Sequence, residues 1–559
     1  MSHSRQPNEH PARPGVGRRA VLRGLGTLSA LSALGTGSVA ARHVPSTPAA
    51  PPSHHRGGRR LVDAYHHRRR AARFHTDHRP PEHRANGDES LDGYLASFTK
   101  GLPHDELGMV DAAAYETLLA ALDGRGSFDD VPLGGDRKLV NPQAALSFVI
   151  TGPDPHDVTM PPAPRFDSPE SAAEMVELYW QALLRDVPFD AYEGNPVAEA
   201  AAANLSGLSG YAGPRDDEGR VTPELLFRGP SDGDRTGPYL SQFFYYPIPR
   251  GDVVEQPQLC RVYEPGVDYL TDFETWLDCA AGAAPGHGDV YDPMARYLHS
   301  GRDLSTYVHR DYAIQSYLDA ALVLLGLGAP ANPGIPSTEG QSLFVDFGPH
   351  DVLDAVPGVL KAVQGANWAQ KWLVHRRLRP EAFGAHVHSQ LTDVRESPIH
   401  PDLLDSPVLD EIQAAYGSYL LPQAYPEGSP LHPSYPAGHA GIAGACVTVL
   451  KAFFDESWLL PNPVAPSADG TALVAVDDAL TVGDELDKLA SNMSIGRNWA
   501  GIHYRSDADA GIRMGEQVAI GFLADRARLY DAAYGFEGFR LTTFDGERIR
   551  ITADGAVPA

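Results

Sequence analysis

The chain has 559 residues, of which 42% are hydrophobic and 21% charged, and its 72 Asp and Glu outweigh its 46 Lys and Arg to a formal net charge of -26. These proportions are globular. So acidic a surface excludes nucleic acid or an anionic membrane as partner, because both demand a basic face. At this length the chain could form two or three average domains, or one continuous helical core.

Residues 1–41 contain Arg18-Arg19 ahead of a mildly apolar run that ends Ser38-Val-Ala-Ala41. This pattern resembles a twin-arginine export signal and predicts an extracytoplasmic or secreted protein; the plain alternative is a basic tail. Residues 42–90 are rich in Pro, Arg and His and read as a solvated linker running into one amphipathic helix. No later stretch reaches the roughly 18 uninterrupted apolar residues of a spanning helix, so no membrane insertion of the mature chain is expected.

The body spans residues 91–535, and from Ser168 onward helical periodicity dominates it. Met175, Leu178, Tyr179, Ala182 and Leu183 recur at three- and four-residue steps, and 312–326 and 352–371 behave alike. Gly and Pro clusters at 229–238, 328–336 and 461–470 mark loops. Strand-like alternation is confined to 536–559, where 540–544 and 548–552 read as a C-terminal hairpin. Of the three cysteines, Cys446 falls on an apolar helical face as a core residue, and a Cys260–Cys279 bridge is open to the other two in an oxidising compartment.

Three separated motifs carry the chemistry. The first runs from Lys371 to Arg379-Pro380, and its eight-residue step lets both cations share a helical face that Pro380 ends. The second, His432-Pro-Ser-Tyr-Pro-Ala-Gly-His439, precedes an apolar helix and places the unpaired backbone amides around Gly438 at that helix's start, a ready anion site. The third, Arg497-Asn-Trp-Ala-Gly-Ile-His503 and on to Asp507, sets a carboxylate four residues beyond an imidazole, within reach of its second nitrogen, with a helix beginning near Ser506. Singly, a Lys and an Arg on a helix suggest a solvated face, and His439 alone a cap or core residue. Together they hold the parts needed to bind a compact tetrahedral oxyanion.

This set resembles the vanadium-dependent haloperoxidases, of the algal and bacterial bromoperoxidase type, within the phosphatidic acid phosphatase type 2 superfamily. The likeness runs from about residue 90 to 550. It implies a mainly α fold of two packed four-helix bundles in one large globular unit, with the short C-terminal β-hairpin outside them. It further implies vanadate as cofactor, bonded to His503 as metal ligand and neutralised by Lys371, Arg379 and Arg497, with the Gly438 amide adding a hydrogen bond. His439 would be the acid and base, Asp507 would orient His503, Lys371 would polarise bound peroxide, and Trp368 and His432 would line the halide approach. The implied reaction is oxidation of bromide or iodide by hydrogen peroxide to hypohalous acid, and many relatives of this kind are homo-oligomers. One departure is Ala437, where the superfamily's Ser supplies a hydroxyl to the anion. An acid phosphatase or other phosphohydrolase on the same fold is the alternative, and a non-catalytic exported scaffold with a decayed site is a third reading.

Overall fold

Apolar residues repeating at helical spacing leave the chain little choice but to stack helices against one another. The structure, a computed structural model, describes residues 60–559, and residues 66–559 form one unit. The export-signal assignment and the first part of the linker lie outside the described residues; the lead-in helix is Arg60–Thr76. Eight helices carry or flank the candidate site: α1 (Pro169–Leu184), α2 (Gly301–Arg310), α3 (Gln315–Leu327), α4 (Pro349–Ala369), α5 (Pro380–Leu391), α6 (Gly438–Phe453), α7 (Val482–Trp499) and α8 (Arg505–Ala527). The fold is mainly helical.

Their ends follow from local chemistry. Ser168 caps α1 by accepting from the Ser171 amide, with Pro169 at the first helical position, and Thr481 caps α7 by accepting from the Asp484 amide. No side chain caps α6, because its N-cap is Ala437. Helix α6 is the hub of the packing, lying against α4, α7 and above all α8. All but its first two residues are buried.

Glycine explains how closely α6 and α8 approach. A Cβ on Gly444 would sit 1.9 Å from the Ile512 carbonyl oxygen, and one on Gly515 would sit 2.0 Å from that of Gly441. Both backbones therefore meet where only a hydrogen fits, and this contact brings the start of α6 beside the start of α8. The Ala437 amide, just before α6, donates to the Asp507 carbonyl in the first turn of α8 at 2.9 Å.

Several expectations change. The Lys371 to Arg379 segment is not one helix: α4 passes into a π-helical turn, Gln370–His375, and Arg376 takes a left-handed φ of 40°. Pro380 then opens α5 instead of ending a helix, with Arg379 as its extended N-cap. The two cations converge through this break, not along a shared helical face. The C-terminal hairpin gains a third strand, giving an antiparallel sheet β1 (Phe539–Thr542), β2 (Arg548–Thr552) and β3 (Gly555–Pro558) that packs on α6 and α8. Cys260 and Cys279 are free thiols, because Cys260 packs on the main core while Cys279 belongs to a separate cluster with Trp276 and Leu420. No helix among the described residues is long and apolar enough to cross a membrane.

Candidate active site

The three motifs meet where the π turn after α4, the ends of α6 and α7 and the start of α8 come together. Lys371 is fully buried, and its Nζ donates to the carbonyls of Pro433 and Ser434 at 2.7 and 2.8 Å, leaving one ammonium N–H. Arg379, also buried, donates Nε to the His432 carbonyl at 3.0 Å and Nη1 to the Ile502 carbonyl at 2.8 Å. Its Nη1 and Nη2 also lie 2.8 and 3.0 Å from His503 Nε2 and His432 Nδ1. Arg497 donates Nη1 to the Val308 carbonyl at 3.0 Å and lies over the Tyr425 ring at 5.5 Å, while its buried Nε has no partner among the described residues.

None of these three cations has a carboxylate within ion-pair distance among the described residues. Burial pushes the Lys371 ammonium well below the usual lysine range, with Arg379 and Arg497 adding to the effect against Asp507. Burial likewise brings Arg379 down to about 10, Glu381 and Asp507 opposing. Isolated buried charge is expensive. A compact anion with several acceptor oxygens is the group that answers this arrangement.

His503 is held for a single task. Its Nδ1 is 2.7 Å from Asp507 Oδ2, so with the carboxylate ionised Nδ1 carries the proton and Nε2 presents its lone pair to the cations. Burial, then Arg379, Lys371, Arg497 and His439, hold the His503 imidazole well below the usual histidine range. His432 is depressed by burial and then by Lys371, Arg379 and His503. Both rings are therefore neutral at pH 7. The Trp368 and His432 ring centroids are 5.1 Å apart, and a Cβ on Gly438 would meet Trp368 at 4.0 Å. His439, on the first turn of α6, places Nε2 3.1 Å from Asp311 Oδ1. All nine residues singled out in the sequence thus belong to one neighbourhood.

Other members were not singled out. Arg377 lies between Asp507 Oδ1 at 2.9 Å and Glu174 Oε2 at 2.8 Å, with its guanidinium stacked 3.8 Å over Tyr504. Ser434 donates to Asp507 Oδ2, which also accepts from the Tyr504 amide at 3.2 Å. Asp507 is therefore fixed by four donors, and His503 inherits its orientation. Arg377 sits inside the first motif and Ser434 inside the second, but nothing in their spacing distinguishes them from neighbours; Asp311 lies more than a hundred residues from the histidine it holds.

Buried cations around one oriented imidazole, set at the meeting of packed helices, define an oxyanion-binding helical enzyme. A family model described as the VCPO second helical-bundle domain matches residues 410–531. The chain is 37% identical to a vanadium-dependent bromoperoxidase of Ascophyllum nodosum over 499 residues, covering 84% of this chain and 88% of the relative. It is 35% identical to a vanadium-dependent bromoperoxidase of Corallina officinalis over 556 residues, 83% of this chain and 92% of the relative. The homohexameric second vanadate-dependent bromoperoxidase of Ascophyllum nodosum superposes with a TM-score of 0.86 at 28% identity, covering 94% of this chain and 96% of that one. The chain belongs to the vanadium-dependent haloperoxidase family and is a haloperoxidase.

Two outcomes follow from this geometry. Replacing Arg377 by Met leaves Asp507 and Glu174 buried without their cation and is expected to cost about 3–5 kcal/mol; adding Glu174→Gln recovers part of that loss, as a double-mutant cycle by urea denaturation will measure. His432, His503, and His375 and His386 (each lowered to about 3 by burial) are neutral in the folded chain but ionise below about 6.5 once unfolded. The unfolded state then binds more protons, so these four groups withdraw stability as pH falls below about 6.5, each by up to about 1.4 kcal/mol per pH unit. Unfolding free energies at pH 7 and 5.5 check the sign, which is wrong if acidification stabilises the fold.

Proposed function

We propose that this chain oxidises bromide, and iodide with it, by hydrogen peroxide to hypohalous acid, using vanadate held at His503 Nε2. The observation that carries the reading is the set of three buried cations, Lys371, Arg379 and Arg497, without a carboxylate partner around an oriented neutral imidazole. The donor set fits an oxyanion: a spare Lys371 N–H, the Arg497 Nε and the uncapped amides at Gly438 all lack acceptors among the described residues. Vanadate, when bound, supplies a Lewis acid that activates peroxide toward halide without changing oxidation state.

Each residue has its own part. Asp507 keeps the proton on His503 Nδ1, so that Nε2 stays a ligand. Arg379, which donates to that nitrogen at 2.8 Å, would give this N–H to the oxyanion once vanadate is held there. Lys371, with its one spare ammonium N–H, and Arg497 would balance the negative charge of the anion. With its Nε2–H donated to Asp311 Oδ1 at 3.1 Å, His439 would use the free Nδ1 to take a proton from peroxide and return it to the departing hypohalite. His432, neutral and tilted against the Trp368 ring, would offer halide a polar edge beside an apolar face.

Two further assignments rest on likeness alone. Export follows from the twin-arginine pattern of residues 1–41, and assembly into a homo-oligomer from the hexamer formed by the Ascophyllum neighbour.

Purified protein assayed with orthovanadate, peroxide and bromide is expected to form hypobromite in a vanadate-dependent way that His503→Ala abolishes. Hydrolysis of a phosphate ester with no bromide oxidation would establish the phosphohydrolase alternative instead. Restoring the missing hydroxyl by Ala437→Ser adds one hydrogen bond to a charged group, about 1.5–3 kcal/mol, and should tighten orthovanadate binding by about ten- to a hundredfold in a titration.

A further inference from the structure

Away from the anion site, a cleft of about 580 Å³ opens between the segment 248–260 and the first turns of α3. That volume lies within the range of small-molecule sites, about 300–1,000 Å³. Its walls include Tyr307, Tyr312, Leu259 and Leu318. Arg250, Gln256, Gln258 and Gln315 also line it, and its one carboxylate is Asp319, which is only 5% exposed.

Asp319 makes no hydrogen bond among the described residues. Its ionic neighbour is Arg250, whose Nη2 is 3.8 Å away, beyond hydrogen-bond range, and whose half-exposed guanidinium is hydrogen-bonded to Gln256 Oε1 at 3.2 Å. A largely buried carboxylate with no protein hydrogen bond among the described residues is costly, and burial pushes this carboxyl above its usual range against the pull of Arg250. An ammonium group would supply the missing donors, and the aromatic and aliphatic walls would cover an apolar body attached to it.

We propose that this cleft binds a primary amine carrying an aromatic or aliphatic body, with its ammonium on Asp319 and its apolar part against Tyr307, Tyr312 and Leu318. The cleft adjoins the active site, since Tyr312 directly follows Asp311, the partner of His439, and the Tyr307 phenol feels the charges of both Asp319 and Asp311. Binding of the amine is nevertheless independent of the vanadium chemistry, and it can be measured without any turnover.

Calorimetric titration of the full chain with tryptamine, and with its neutral analogue tryptophol, tests the proposal. Tryptamine is expected to bind at one site at least tenfold more tightly than tryptophol, and Asp319→Asn to erase that preference. Arg250→Gln, at a half-exposed position, removes a competing cation and should tighten tryptamine binding severalfold; a purely structural Arg–Asp pair would give no such gain. Tyr312→Ala, at a residue 82% exposed, should weaken both ligands alike. Saturating orthovanadate and the His503→Ala variant should leave binding unchanged, which separates this site from the anion site. Equal affinity for the two ligands, no saturable binding, or indifference to Arg250→Gln overturns the proposal.

Discussion

Three positive side chains enclosed in a helical core, with no carboxylate at ion-pair distance among the described residues, are the constraint on which this molecule turns. Lys371, Arg379 and Arg497 lie on different segments, and each gives part of its hydrogen bonding to main-chain carbonyls while keeping donors in reserve. Carbonyl oxygens soften the cost of burying a cation but do not cancel its charge. The core tolerates the remainder because the rest of the fold is tightly packed around it, with α6 and α8 pressed together where glycines allow backbone to touch backbone.

The same separation of charge explains why Asp507 does not quench the site. Its two oxygens are already engaged by Arg377, Ser434, His503 and the Tyr504 amide, so the carboxylate acts on the cluster through the orientation of one imidazole. Glu174 in turn holds the far side of Arg377. A buried chain of carboxylate, guanidinium, carboxylate and imidazole thus runs from α1 to the anion pocket, and it fixes geometry while leaving the positive face open to a ligand.

The helices were readable from apolar spacing, as in α1 and α6, and the three motifs announced an anion site because Lys, Arg, Gly-His and His-Asp pairs rarely occur together for packing alone. What the sequence hid depends on tertiary context. The switch from α4 into a π turn, and the left-handed Arg376 that follows, carry no local signal, so Lys371 and Arg379 looked like neighbours on one helix. Arg377 and Ser434 are ordinary until folding brings Asp507 between them, and Asp311 reaches His439 across 128 residues. The third C-terminal strand, Gly555–Pro558, is too short and too exposed to show alternation, and pairing of cysteines cannot be decided from their number.

X-ray diffraction above and below the vanadium absorption edge, on crystals grown with orthovanadate, bears most directly on the buried cation cluster. A single anomalous peak at bonding distance from His503 Nε2, with Lys371, Arg379 and Arg497 directed at the oxygens around it, is the expected result. Vanadium located elsewhere, or a cluster whose cations are each met by a carboxylate in the experimental electron density, would contradict the account.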